Sequence, residues 1–476
     1  MPLKRKHLAL VGVAFLLLTA FVAWVLTGPR HSSVVTWAFG HPLPRLKPAW
    51  AWAALALLPV PVAVWWACRP GRQAVRLVVL LLCGVALHWA FPLSEGHGSA
   101  PAVARVWGGH GELTRIAMEG HDLANLTARY ETLVRTRGWL FPHSKPPGCL
   151  LVYQGLVSVG DSKVGALFDR LIYGQPPVLA TQARERRVVS TVFVLLTLAT
   201  YLTLFPLYFF VRRLAGTAVA IRAAALFVVT PAVSLVTLHL DNGLYPLVGA
   251  TSLALVALWP GLGYWAMGAA GLLLSLGVFV SFSLLPLVAL CAGLPFLILW
   301  KADRTGPWSS DALRALAASA LFIAAFCVVH GILVFGFHYD VLARYADARD
   351  FHRNWWSGGG HDWRFGNLLQ MAIWLGPATA VLFVIQIIRG FARAHEPTPA
   401  FVAYGLMVVG MLLTTTLVKM AKSEVMRLWA PQVGAVVSVA AARLAVWEED
   451  RPGWLMGALA SLQIAYTFIL DRFWVM

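Results

Sequence analysis

The sequence predicts an all-α polytopic membrane protein of about 13 transmembrane helices, with a large first outer loop bearing interfacial helices. Three observations predict it. Hydrophobic residues make up 59% of the chain and charged residues only 12%, where soluble domains carry about 25% charge. Mean hydropathy is +0.71. Apolar runs of about 17 to 25 residues recur along the whole length, each long enough to cross about 30 Å of hydrocarbon. A soluble chain with so many uncharged runs would aggregate, which excludes that class.

In chain order, the first run, 8–27, follows Lys4, Arg5 and Lys6. Its apolar stretch is longer than a signal-peptide core and more spans follow, so it reads as an uncleaved anchor. Spans at 50–67 and 76–92 complete an N-terminal membrane unit, 1–92. A polar region, 93–187, comes next and reads as the catalytic outer loop, because long loops in compact proteins are usually functional. Within it, 148–160 is apolar but too short to cross, which predicts a re-entrant or interfacial helix. The membrane bundle, 188–476, then places spans at 188–211, 222–240, 244–259, 263–281, 284–300, 312–336, 367–388, 400–417, 429–446 and 454–471. An aromatic-rich outer loop, 337–366, interrupts it.

Basic residues orient these spans, since Lys and Arg favour the cytoplasmic side. If 148–160 does not cross, the inside receives Lys4 to Lys6, Arg69/Arg72, Arg212/Arg213, Lys301/Arg304 and Arg389/Arg393. The polar loops then gather outside. Arg184, Arg186 and Arg187 count against this arrangement and are outvoted. The net charge of +17 sits mostly in short loops. It therefore speaks for topology and anionic lipid headgroups, not nucleic acid. The five cysteines show no CxxC or metal spacing. Neither a Walker loop, a dinucleotide fingerprint, a GxSxG elbow nor an HExxH motif occurs.

Several outer residues invite chemistry. Glu112 follows a flexible Gly108-Gly109-His110-Gly111 turn and opens an amphipathic stretch, 112–135, expected to form one interfacial helix. A carboxylate there suits a general base, and equally an acid stabilising a helix dipole. Glu119, Asp122 and Glu131 read as solvated-face charges. In Pro142-His143-Ser144-Lys145-Pro146-Pro147-Gly148 the prolines impose extended backbone and Gly148 permits close packing. Lys145 then stands at the water–headgroup boundary, either gripping a lipid phosphate or snorkelling. Asp241-Asn242 ends a span, as a functional acid or as a cap. Trp355, Trp356 and His361 belong to a loop whose aromatics suit sugar rings and prenyl chains, or form an interfacial belt. Gly358-Gly359-Gly360 would let that loop move as a lid. Lys422, Glu424 and Arg427 suggest an anionic ligand, or a local Glu424–Arg427 pair. No cofactor is indicated; a divalent metal at His352, His361 and Asp362 stays open, although no spacing supports it.

The stretch ELTRIAMEG…GWLFPHSKPPGCLLVYQGL, with Arg212 to Gly216 and Asp241 following in order, resembles polytopic glycosyltransferases of the GT-C class. The nearest groups are the aminoarabinose-transferase-like enzymes of bacteria and the protein O-mannosyltransferases. The resemblance runs over roughly 109–254. It implies transfer of a sugar from a polyprenyl-phosphate donor to a lipid, glycan or protein acceptor, on the non-cytoplasmic side of a bacterial plasma membrane. Glu112 would answer to the acidic motif of the first loop, Lys145 to the phosphate-contacting turn and Asp241 to the later acid. The class's adjacent acid pair is replaced here by Gly109-His110-Gly111-Glu112, and two extra spans precede the loop. The base and any metal requirement therefore stay open. The rival expectation is a transporter or flippase of a lipid or lipid-linked sugar, which predicts repeat symmetry and broken helices.

Overall fold

The computed structural model describes residues 5–27, 55–94, 111–120, 122–139, 141–174, 180–235, 240–301, 308–355, 363–392, 398–417 and 428–473. Every regular element among them is helical. The N-terminal unit supplies α1 (Arg5–Thr27), α2 (Pro59–Ala67) and α3 (Gln73–Ser94). The outer region supplies α4 (Glu112–Glu119), α5 (Leu123–Ala128), α6 (Tyr130–Arg137), α7 (Gly148–Gly160) and α8 (Lys163–Tyr173). The bundle continues with α9 (Ala180–Leu202), α10 (Leu204–Ala215), α11 (Thr217–Val229), α12 (Pro231–Ser234), α13 (Leu244–Leu262), α14 (Trp265–Val280) and α15 (Leu285–Lys301). It closes with α16 (Trp308–Phe337), α17 (Val341–Trp355), α18 (Trp363–Leu375), α19 (Pro377–Ala392), α20 (Pro399–Leu417), α21 (Ala430–Trp447) and α22 (Trp454–Phe473).

Eight described helices are long and apolar enough to cross a membrane, and a bent pair makes a ninth candidate. The protein is an integral membrane protein of helical spans. Of the about 13 spans expected, those eight or nine pass by length and composition among the described residues. Overlapping the expected spans 8–27, 50–67, 222–240 and 263–281, the described apolar helices are Leu10–Val22, Leu55–Ala67, Thr217–Val229 and Trp265–Val280, each of 10–17 residues. Chain chemistry explains two of these. Thr230 precedes Pro231 and turns extended, φ −73° and ψ 127°, which stops α11. Ser281 is extended likewise and stops α14. The segment 367–388 is also not one straight span: it bends by 112° between α18 and α19. Gly376 supplies the positive φ of 83° at the bend. Gln463 seals the break, its Nε2 donating to Leu375 O at 2.8 Å and to Thr379 Oγ1 at 2.7 Å.

Unequal helix lengths shape one end of the bundle. Residues 183–215 act as a single rod of 33 residues, about 50 Å at 1.5 Å per residue. Its neighbour α11 has 13 residues, about 20 Å. The two meet through Gly216 at one end, so the difference in length falls at the other. There α13 starts well below the tip of the rod, because Gly243 lies against Leu196 and Thr200. The result is a recess whose floor is the start of α13, the 281–284 turn and the end of α14. Into it descends α7, packed antiparallel to the rod. Gly160 meets Val188 and Gly148 meets the backbone of Phe279, while Cys149, Tyr153 and Val157 share a core with Val188, Val192 and Leu196.

One expectation for the outer region changes. The stretch 112–135 is not one helix but three short ones. Gly120, with φ 74°, ends α4. Asp122 then caps α5, accepting from Asn125 N at 2.7 Å. Two of the three arginines that count against the adopted topology, Arg184 and Arg186, pair with acids of the same region. Arg184 makes a two-pronged pair with Asp161, both distances 3.0 Å, and Arg186 does so with Asp169 at 3.0 and 3.2 Å.

Candidate active site at the recessed end

The recess is organised by the turn that leads into α7. Phe141–Ser144 form a 3-10 turn, Pro147 caps α7, and Gly148 is its first residue. A side chain at Gly148 would strike the carbonyl of Phe279, so only glycine lets the turn seat this close to α14. Three successive structural levels then fix the turn from outside. Tyr130, fully buried on α6, donates its hydroxyl to Pro142 O at 3.1 Å and Lys145 O at 2.9 Å. Arg344, fully buried on α17, donates Nη2 to His143 O at 2.7 Å. The His143 ring stacks on Phe351, centroids 5.5 Å apart and planes within 5°. Carbonyls that a loop would normally show to water are held by two buried side chains.

Arg344 is itself restrained. Its Nη1 donates to Glu131 Oε2 at 2.8 Å, and its guanidinium carbon lies 5.8 Å from the centre of the Tyr130 ring. Asp347 sits 4.0 Å from Arg344 and 3.4 Å from Arg135. Glu131 is thus not the solvated charge expected of it. It is half-buried and paired, and burial raises its pKa despite the opposing pull of Arg344. Glu119 keeps an exposed position, 3.9 Å from Arg137.

The reactive candidates lie around this turn. Glu112 is the first residue of α4, partly buried, and α4 packs on α7 through Leu113, Ile116 and Ala117. Its charge is close enough to act on His143. Lys145 is partly buried, its Nζ 5.9 Å from the centre of the Tyr245 ring on α13. The same charge opposes the burial that pushes up the Cys149 thiol. Burial lowers the pKa of His143 below its ordinary 6.5. Arg344 and Arg135 act in the same direction, while Asp347 and Glu112 oppose them. A neutral imidazole both donates and accepts a hydrogen bond.

The lowered pKa has a consequence for stability. Below pH 6.5 the unfolded chain takes up a proton that the folded turn resists. The contribution of His143 is therefore complete above that pH and is lost as pH falls through the depressed folded value. We expect the thermal midpoint to drop more between pH 7.5 and 5.5 in the native protein than in His143→Gln. Parallel pH dependence in the two proteins would show that His143 carries none of it.

Of the residues singled out from sequence, Glu112, His143 and Lys145 come together at this end of the bundle. Asp241 lies in the turn Leu240–Gly243 against α9, so its backbone belongs to the recess floor; its side chain falls outside the described set. Trp355 ends α17, again without a described side chain. His110, Trp356, His361, Lys422, Glu424 and Arg427 lie outside the described residues. Among the described residues no group of three or more His, Cys, Asp or Glu forms a metal site. Sequence reasoning missed Tyr130, Arg344 and Tyr245. For Arg344 a signal existed: it is a basic residue in a loop expected on the outer side, against the charge bias that singles out Lys422 and Arg427. Compared with protein-family models, curated proteins and solved structures, the chain matches none.

Proposed function

We propose that the protein is an integral-membrane glycosyltransferase that moves a sugar from a polyprenyl-phosphate donor to an acceptor on the non-cytoplasmic side. The carrying observation is the clamped turn, which bears His143 and Lys145 and packs against α4, whose first residue is Glu112. In this reading Lys145 binds the phosphate of the carrier and Glu112 faces the acceptor hydroxyl. The acceptor oxygen attacks the anomeric carbon. Its proton passes to Glu112, and the bond from carbon to phosphate oxygen breaks, leaving the electron pair on the lipid phosphate. Because that phosphate is already a good leaving group, positioning and charge stabilisation by Lys145 supply most of the acceleration. A partly buried ammonium suits this role, since its attraction to phosphate is screened less than at an open surface.

A second reading, a lipid or lipid-linked-sugar transporter, is favoured by the sharp break at Gly376, because transporters bind substrate at interrupted helices. The seal that Gln463 makes over this break supports a fixed bend instead. Proteoliposomes loaded with labelled polyprenyl-phosphate sugars separate the two. Native protein should transfer label to an acceptor, and Lys145→Ala should do so about 100-fold less well, the loss of one charge-stabilising group. Movement of labelled lipid across the bilayer without any transfer would replace the enzyme by the transporter.

A further inference from the structure

We propose that Arg344 is a positioning residue, through which the second outer loop sets the affinity of Lys145 for the lipid phosphate. The inference rests on the reading of Lys145 given above and adds a dependence that reading does not contain. Arg344 lies on α17, about 200 residues away from the turn in sequence, yet it closes the turn from above by the bond from Nη2 to His143 O. Glu131 holds its other nitrogen, and Tyr130 binds the carbonyls on either side, those of Pro142 and Lys145. Carbonyls at 142, 143 and 145 are thus all tied to the Tyr130–Arg344 pair. If α17 moves away, His143 O loses its donor and Phe351 leaves the His143 ring. The backbone that aims Lys145 then keeps only the Tyr130 hydroxyl and the turn's own bond from Lys145 N to Pro142 O at 3.2 Å. Docking of α17 and capture of the phosphate become one event.

Geometry makes lysine a poor substitute at 344. The guanidinium gives separate nitrogens to a carboxylate and a carbonyl, at 2.8 and 2.7 Å, in a planar fork that a single ammonium on a shorter reach does not reproduce. Arg344→Lys therefore keeps the charge and loses the simultaneous hold. Tyr130→Phe, a milder change, removes the other two bonds to the turn while keeping the ring.

The test measures binding of polyprenyl phosphate, and of uncharged polyprenol as control, to the full-length protein in lipid nanodiscs. Arg344→Lys is expected to weaken phosphate binding about tenfold and Tyr130→Phe to weaken it in the same direction, with polyprenol binding unchanged in both. In a double-mutant cycle, Arg344→Lys combined with Lys145→Ala should bind no more weakly than Lys145→Ala alone, since both act through one contact. Equal loss of polyprenol and polyprenyl phosphate would mark a general structural role and overturn the proposal. Losses that add fully in the double variant would overturn it too, by giving Arg344 a separate contact. Native affinity in both Arg344→Lys and Tyr130→Phe, with Lys145→Ala weakened, would remove the positioning role and leave the function standing. Native affinity in Lys145→Ala would instead remove the phosphate reading itself. If Arg344→Lys does not fold, Tyr130→Phe carries the same cycle.

Discussion

Glu112→Gln is expected to lower sugar transfer by about 10²–10⁴-fold, the usual contribution of a positioned general base, with little change in donor affinity. The substitution keeps size and hydrogen bonding but removes the proton acceptor. Its competitor is the view that Glu112, as the first residue of α4, only complements the helix dipole. Magnitude decides between them. A dipole contribution is worth about 0.3–1 kcal/mol and would appear as a small fall in thermal midpoint with turnover intact. Loss of a base appears in kcat with the midpoint nearly unchanged. Glu112→Asp, which keeps the carboxylate but draws it back, should retain part of the activity. Full turnover in Glu112→Gln, given the same labelled donor, would leave Glu112 as a helix-end charge.

The membrane character and the helix positions were legible because a run of uncharged residues has one physical meaning in water and lipid. Even there, length was harder to read than location. Thr230 before Pro231 and Ser281 before the 282–284 turn stop two helices early, and the recess exists because of those stops. The turn at Lys145 was legible for a similar reason: two prolines and Gly148 restrict the backbone whatever surrounds them. The clamp around it was not. Arg344 and Glu131 are about 213 residues apart, and nothing in VLARYADARD separates a buried arginine from its exposed neighbours. On a polar helix, burial is decided by what docks on it. Glu131 was misjudged for the same cause, since helical spacing gives a face but not its partner. The Arg184–Arg187 cluster shows the same limit: Asp161 and Asp169 pair with two of its arginines, and a count of basic residues does not reveal such partners.

The opposite end of the bundle carries the largest expected effect on stability. Arg222 on α11 and Glu448 at the end of α21 are 4% and 1% exposed, with Nε 2.7 Å from Oε2. Glu448 also accepts from Gly453 N at 3.1 Å and Met456 N at 2.6 Å, so it caps the start of α22. Glu448→Ala strands the Arg222 guanidinium and orphans two amides at once. Breaking a buried pair from one side costs about 3–5 kcal/mol, and losing a cap adds about 1 kcal/mol. We expect a large fall in the thermal midpoint in detergent, with Glu448→Gln less damaging because it can still accept from the amides. The double change Arg222→Met with Glu448→Gln should recover much of the loss, since the desolvated charge is then gone. The pair joins α11 to the last two helices at the end away from the recess. Glu448→Ala should therefore unsettle the bundle while the His143 clamp keeps its contacts until global melting. A single variant melting with the native protein would mean that water reaches this pair and that its apparent burial counts for little.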